Sequence, residues 1–281
     1  MGEACVDLLA AIRVIQGHLT AALCETVFAR VRSKERRRVL TLQVMAEFWL
    51  AVILRAPPSL RQALDEARRG SGGYPMVAVS PESFFERAQA MRVEFFGELF
   101  GAFLESALAD CDAVFEVGLQ AQLPSFDHVL VVDGSRCDAV ARRLKVTWSE
   151  DAVVLPGSLL VLYDLFRGVP WRVRFDADAC AAEVPALKDE LDGVPKGALL
   201  LADRGFCSHR LFGELGARGI WAVVRCTRAI SLAPGAVLGF TEHEDGRVKD
   251  TLVVAGTPQR PAERQKLRLI EWTQEIGRAH V

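Results

Sequence analysis

At 281 residues, 51% apolar and 25% charged, the chain is long enough to bury a full core and has the composition of an ordinary globular protein. A formal net charge of -2 excludes a small, globally basic nucleic-acid module, so any nucleic-acid binding must come from local charge. Seven scattered cysteines without a Cys-x-x-Cys pair exclude a zinc ribbon and a disulfide framework, and fit buried thiols in a reducing cytoplasm.

The first part reads as helical. Leu8, Leu9, Ile12, Val14, Ile15 and Leu19 carry a helix-like apolar pattern, Leu23, Val27 and Val31 a second, and residues from about Arg36 to Arg55 a third. Its apolar run, Phe48 to Leu54, is far too short to span a bilayer, and the N-terminus has no signal-peptide pattern. A cytoplasmic bacterial protein without a membrane partner is expected. Pro57-Pro58 ends the third helix, Ser59 can cap the next, and Arg69 to Pro75 form a loop. Ser80-Pro81-Glu82 is a strong helix start, and the spacing predicts one long helix from there to about Ala109. Its phenylalanine stripe reads as core rather than as a base-stacking platform. Over residues 1 to 70, eleven Lys/Arg stand against seven Asp/Glu, and six of them (Arg30, Arg32, Lys34, Arg36, Arg37, Arg38) crowd into one segment.

The grammar changes after about Pro124. Asp127-His-Val-Leu-Val-Val-Asp133-Gly-Ser is an apolar run that ends on an aspartate, as a buried strand does where it meets a functional loop. Two further strands flank Arg167-Gly168, which reads as a hairpin turn. A helix from Glu183 to Leu191, a second buried strand ending at Asp203, a helix from Leu211 to Ala217 and a strand from Ile220 to Cys226 follow. Three strands, then helix, strand, helix, strand make a mixed α/β layer. Beyond Arg228 the chain turns to short alternating stretches, β-rich as far as Trp272.

Asp133 and Asp203 share one setting: each follows four or five apolar residues and precedes glycine within two positions. Side by side on parallel strands, their carboxylates would converge at the strands' carboxyl ends, where open α/β sheets gather ligands. Two hard carboxylates are what a pair of Mg²⁺ ions needs, with positions left for water and phosphate. The competing reading is that Asp after a strand simply starts a turn or caps a helix. A haloacid-dehalogenase-type phosphatase fails, because its nucleophile position in Asp-x-Asp-Gly-Ser is held here by Val131.

The pieces Val132-Asp-Gly-Ser-Arg136, Ala141-Arg-Arg-Leu-Lys145, the run from Pro156 to Pro170, and Leu199-Leu-Leu-Ala-Asp-Arg-Gly-Phe206 resemble the catalytic core of DDE transposases of bacterial insertion sequences, family four. The resemblance implies an α/β fold with an RNase H-like mixed sheet, an N-terminal helical domain and a β-rich insertion. It divides the chain into 1–118, a helical DNA-binding region; 119–227, the incomplete core; 228–274, a partial insertion; and 275–281, a tail. Asp133 and Asp203 would be the first two carboxylates of the Asp-Asp-Glu triad, binding Mg²⁺ or Mn²⁺ for DNA cleavage and strand transfer. The implied partners are DNA, as element ends and target, and a second copy of the chain on that DNA.

The sequence departs from the family at the third carboxylate. That glutamate belongs to a Tyr-x₂-Arg-x₃-Glu-x₆-Lys helix, but the two tyrosines here, Tyr74 and Tyr163, both precede Asp203. Glu271 alternates like a surface strand residue, and the ending, Glu275 to Val281, reads as a translated sequencing adaptor or a tail. The chain is therefore expected to be truncated and inactive in strand transfer, with a non-catalytic DNA-binding remnant or another RNase H-like two-metal nuclease as alternatives. Arg30 to Arg38 are candidate phosphate contacts. Arg204 could hold a phosphate or pair with an aspartate. His209 reads as a solvent residue at a helix start, and Trp148 and Trp171 as packing residues.

Overall fold

The computed structural model describes residues 7–31, 39–110, 117–137, 157–260 and 264–274. The chain divides into two compact units, one of residues 1–115, 134–161 and 170–181, the other of 116–133, 162–169 and 182–281.

In the first unit, helices α1 (Leu8–His18), α2 (Ala21–Val31), α3 (Leu42–Arg55), α4 (Leu60–Arg68), α5 (Pro81–Gln89) and α6 (Val93–Asp110) follow in order. Side-chain oxygens of Asp7, Thr41, Ser59 and Ser80 accept first-turn backbone N–H groups at the starts of α1, α3, α4 and α5. Such caps stabilise a helix by about 1 kcal/mol each. Residues 36–38, placed by sequence in the third helix, lie outside the described residues, and α3 begins only after Thr41.

The long helix expected after Ser80 is two helices, interrupted at residues 90–92. No proline or glycine breaks it. Packing does: Phe84 enters a cluster with Met45, Phe48, Leu64 and Tyr74, whereas Phe95 and Leu99 enter another with Cys24, Val27 and Leu42. One straight helix would carry both sets on a single continuous stripe. The Phe48 and Phe84 rings lie 4.5 Å apart between centroids, a contact that adds about 1 kcal/mol to their burial. Phe85 and Phe96 remain at the surface, so only half of that pairwise stripe is core.

Short helix α7 (Val117–Gln122) precedes the sheet strands β1 (Val129–Arg136), β2 (Ser158–Asp164), β3 (Val169–Asp176), β4 (Leu199–Ala202) and β5 (Trp221–Val224). Their spatial order is β3-β2-β1-β4-β5, and β1, β4 and β5 run parallel. The protein is thus a mixed α/β protein. Helix α8 (Glu183–Glu190) leads to β4, and α9 (His209–Ala217) connects β4 to β5.

The turn between β2 and β3 is fixed by a buried carboxylate. Asp164 Oδ1 accepts the N–H groups of Phe166 (2.9 Å) and Arg167 (3.1 Å), and its Oδ2 pairs with Arg167 Nη1 at 2.9 Å. His128 Nδ1 lies 3.1 Å from the same Oδ2. Gly168 sits at φ +68°, a left-handed conformation that suits glycine. Arg167 Nη1 also lies 2.7 Å from His128 Nδ1, so the fully buried Asp164 side chain has a hydrogen-bond partner at each oxygen, as a buried polar group requires.

The last three strands, β6 (Leu232–His243), β7 (Gly246–Ala255) and β8 (Gln265–Gln274), form a separate antiparallel sheet. Its first hairpin closes at His243 opposite Gly246, leaving a two-residue turn. Glu271 stands on β8 opposite Lys249, whose Nζ lies 3.3 Å from Glu271 Oε2, as its alternating context indicates. No single helix among the described residues is long and apolar enough to cross a membrane.

Candidate functional site

The apolar runs before Asp133 and Asp203 dictate where the two aspartates stand. Val129, Leu130 and Val132 of β1 and Leu199 and Leu200 of β4 are buried, so both strands occupy the interior of the sheet. On β1 the buried Val132 directly precedes the exposed Asp133, and on β4 burial falls from Leu200 through the half-buried Leu201 and Ala202 to the exposed Asp203. The parallel register pairs Val129 with Leu199 and continues to Val132 with Ala202. Asp133 and Asp203 are the next residues on each chain. Neighbouring strands are about 4.8 Å apart, so the two aspartates stand at one level where the β1–β4 pairing ends; β4 stops there, whereas β1, expected from sequence to end at Asp133, runs on to Arg136. Both are exposed to solvent.

Asp203 also performs the task that the competing reading assigns it. Its Oδ1 accepts the N–H of Gly205 at 2.7 Å and caps a single 3₁₀ turn, Arg204 to Phe206. The capping role uses one oxygen and leaves the other for a ligand. Phe206 is buried and anchors the turn.

A third carboxylate, missed by sequence reasoning, belongs to the same neighbourhood. Glu183 is the first residue of α8, and its pKa is raised from the ordinary glutamate value by desolvation first, then by the charges of Asp203 and Asp133. Glu183 is exposed at the start of α8, within reach of the charges of both aspartates. A Cβ on Gly205 would stand 3.0 Å from Asp203 Oδ1 and 3.4 Å from Glu183 Oε2. Gly205 therefore keeps the space between the two carboxylates open. Among the described residues no group of three or more His, Cys, Asp and Glu side chains is close enough to cage a metal ion. The aspartate pair is an open, two-carboxylate arrangement flanked by Glu183.

Arg204 is exposed and forms no ion pair among the described residues, so it does not spend its charge on either aspartate. His209 is the half-buried first residue of α9. It lines a shallow cleft with Lys188, Arg210, Glu214 and Gln265 that includes neither aspartate. Arg30 is exposed on the last turn of α2, while Arg32, Lys34, Arg36, Arg37 and Arg38 lie outside the described residues. Residues 141–145 and Trp148 lie outside them as well, and Trp171 is half-buried on β3.

Comparison with known proteins adds little. No protein-family model matches the chain, and no curated protein matches it. One solved structure it is similar to is a piggyBac transposase in a synaptic complex with hairpin DNA, at 11% identity and a TM-score of 0.28 over 91% of this chain. The match spans 57% of that transposase chain, a little over half its length. A TM-score so low does not establish a shared fold, and the functional reading stands on the residues alone.

Proposed function

We propose that the chain carries the carboxylate centre of a metal-dependent nucleotidyl transferase acting on DNA, an insertion-sequence DDE transposase with an RNase H-like core. The observation that carries this reading is the parallel register of β1 and β4, whose last pair, Val132 with Ala202, directly precedes Asp133 and Asp203. In the proposed division, residues 1–118 bind element ends, 119–227 form the core and 228–274 belong to the insertion, with a second copy of the chain on the paired ends.

The donor set fits Mg²⁺ or Mn²⁺. Both aspartates offer hard oxygens, and an exposed, uncaged pair suits a cation that keeps waters and takes phosphate oxygens as its remaining ligands. When bound, such ions activate the attacking hydroxyl and stabilise the leaving oxygen. Asp133 and Asp203 would hold the cation at the sheet edge, Gly205 N–H would fix the rotamer of Asp203, and Arg204 would meet the DNA phosphate. The resemblance calls for one more carboxylate, on a helix whose signature the sequence lacks, so metal binding rather than strand transfer is the decisive measurement.

Calorimetric titration with Mn²⁺ tests it. The unaltered chain is expected to bind, and Asp133→Asn and Asp203→Asn are each expected to weaken binding at least about tenfold with an unchanged circular dichroism spectrum. Wild-type affinity in both variants would remove the site. Mn²⁺ binding without any nicking of DNA would favour the non-catalytic remnant.

A further inference from the structure

Two thiols from distant parts of the sequence meet beside the turn that carries Asp203. Cys207 follows the 3₁₀ turn after β4, its N–H donating to the Arg204 carbonyl at 3.2 Å. Cys226 lies two residues beyond β5, and the β4–β5 pairing continues toward it through the Arg225 N–H, which donates to the Ala202 carbonyl at 3.1 Å. The two side chains hydrogen-bond each other and share one peptide unit. Cys226 Sγ donates to the Thr227 carbonyl at 3.6 Å, while Cys207 takes a backbone hydrogen bond from Thr227. Both thiols are reduced, Cys226 exposed and Cys207 half-buried.

We propose that Cys207 and Cys226 form a redox-active dithiol, an oxidative modification site that takes small-molecule disulfides as oxidant and closes to an intramolecular disulfide. Thiols in mutual hydrogen-bond contact already stand close to the separation that a disulfide requires. Access sets the order of events. The exposed Cys226 thiolate attacks one sulfur of the external disulfide, breaks its S–S bond, releases one small thiolate and forms a mixed disulfide. Cys207, whose thiol is held up mainly by desolvation, acts second. Its thiolate attacks Cys226 Sγ, forms the Cys207–Cys226 bond and expels the second small thiolate. The protein loses two protons and two electrons; the external disulfide gains both and leaves as two thiols. The closed bond ties the turn bearing Asp203 and Arg204 to the end of β5. This proposal does not depend on metal binding at the aspartates.

The test is oxidation of the folded chain with oxidised glutathione, alkylation of remaining thiols, and tryptic mapping. Cleavage at Arg204, Arg210, Arg225 and Arg228 places the two cysteines in the peptides 205–210 and 226–228. The expected product is these two peptides joined, lighter by two hydrogens, formed in the native protein and reversed by dithiothreitol. Cys207→Ser is expected to stop at a glutathione adduct on Cys226, and Cys226→Ser to abolish the reaction at Cys207. Oxidation is also expected to raise the melting temperature by about 5 °C, because the bond closes a loop in the unfolded chain. That rise should vanish in Cys207→Ser. Wild-type protein that stops at the mixed disulfide, or pairs either cysteine with Cys180, would overturn the proposal, as would a linked product that melts no higher than the reduced chain.

Discussion

Glu183 occupies a position where a lone glutamate would be comfortable, yet its carboxyl is pushed up by desolvation and by Asp203 and Asp133. A carboxyl with a raised pKa binds its proton more tightly in the folded chain than in the unfolded one, so its charged form opposes folding. That penalty is fully present above the folded pKa and disappears as pH falls below the ordinary glutamate value. In a chelating buffer at pH 7, Glu183→Gln should therefore be more stable than the wild type toward urea, and the gap should close by about pH 4. A constant gap across that range would show that the charge of Glu183 is not what strains the site. Gly205 gives a second prediction at the same spot. Gly205→Ala puts a methyl group 3.0 Å from Asp203 Oδ1 and 3.4 Å from Glu183 Oε2, so Mn²⁺ affinity should fall about tenfold with folding preserved. Sequence reading found the aspartates because a carboxylate that closes an apolar run stands out, although β1 itself continues past Asp133 to Arg136. It missed Glu183 because acidic residues at helix starts are common for dipole reasons alone. Cys207 and Cys226 were equally hidden: only the β4–β5 pairing brings them together.

At the level of elements, what could be read from sequence was what local chemistry decides. Ser59 and Ser80 cap their helices, and Gly168 turns the β2–β3 hairpin, as expected of those residue types. The split between α5 and α6 was illegible because residues 90–92 carry no breaker; two separate clusters claim Phe84 and Phe95 and override the local preference. The role of Asp164 was illegible for a related reason. In sequence it is one more acidic residue at a strand end, but in the fold it is the hub for the turn N–H groups and the Arg167 guanidinium. Asp164→Ala leaves those donors and a guanidinium without their acceptor in a buried setting. A loss of about 3 kcal/mol in urea unfolding is expected, while an exposed carboxylate such as Glu105 changed to Ala should cost under about 0.5 kcal/mol. Equal effects at the two positions would mean that the clamp contributes nothing to the hairpin.

Charge along the whole chain poses a problem for a DNA enzyme. The molecule is slightly acidic, and the two aspartates proposed to act on phosphate are themselves exposed anions, joined by Glu183. Bare carboxylates repel a polyanion, so affinity for DNA has to be generated by other residues, and contact at the carboxylates has to await a cation. The sequence places its local basic excess in Arg30, Arg32, Lys34, Arg36, Arg37 and Arg38. If these side chains neutralise phosphates, each contributes roughly 0.9 to the slope of log affinity against log salt. Anisotropy titrations of a labelled duplex across a salt series should then show two distinct responses. Changing Arg36, Arg37 and Arg38 together to Ala should flatten the slope by about 3 and weaken binding in the absence of divalent ions. Asp133→Asn should leave that slope unaltered, because it removes an anion that engages DNA only through a metal. A slope that survives the triple arginine change would place DNA affinity elsewhere in the chain, and a slope that shifts with Asp133→Asn would show that the two charge systems do not act separately.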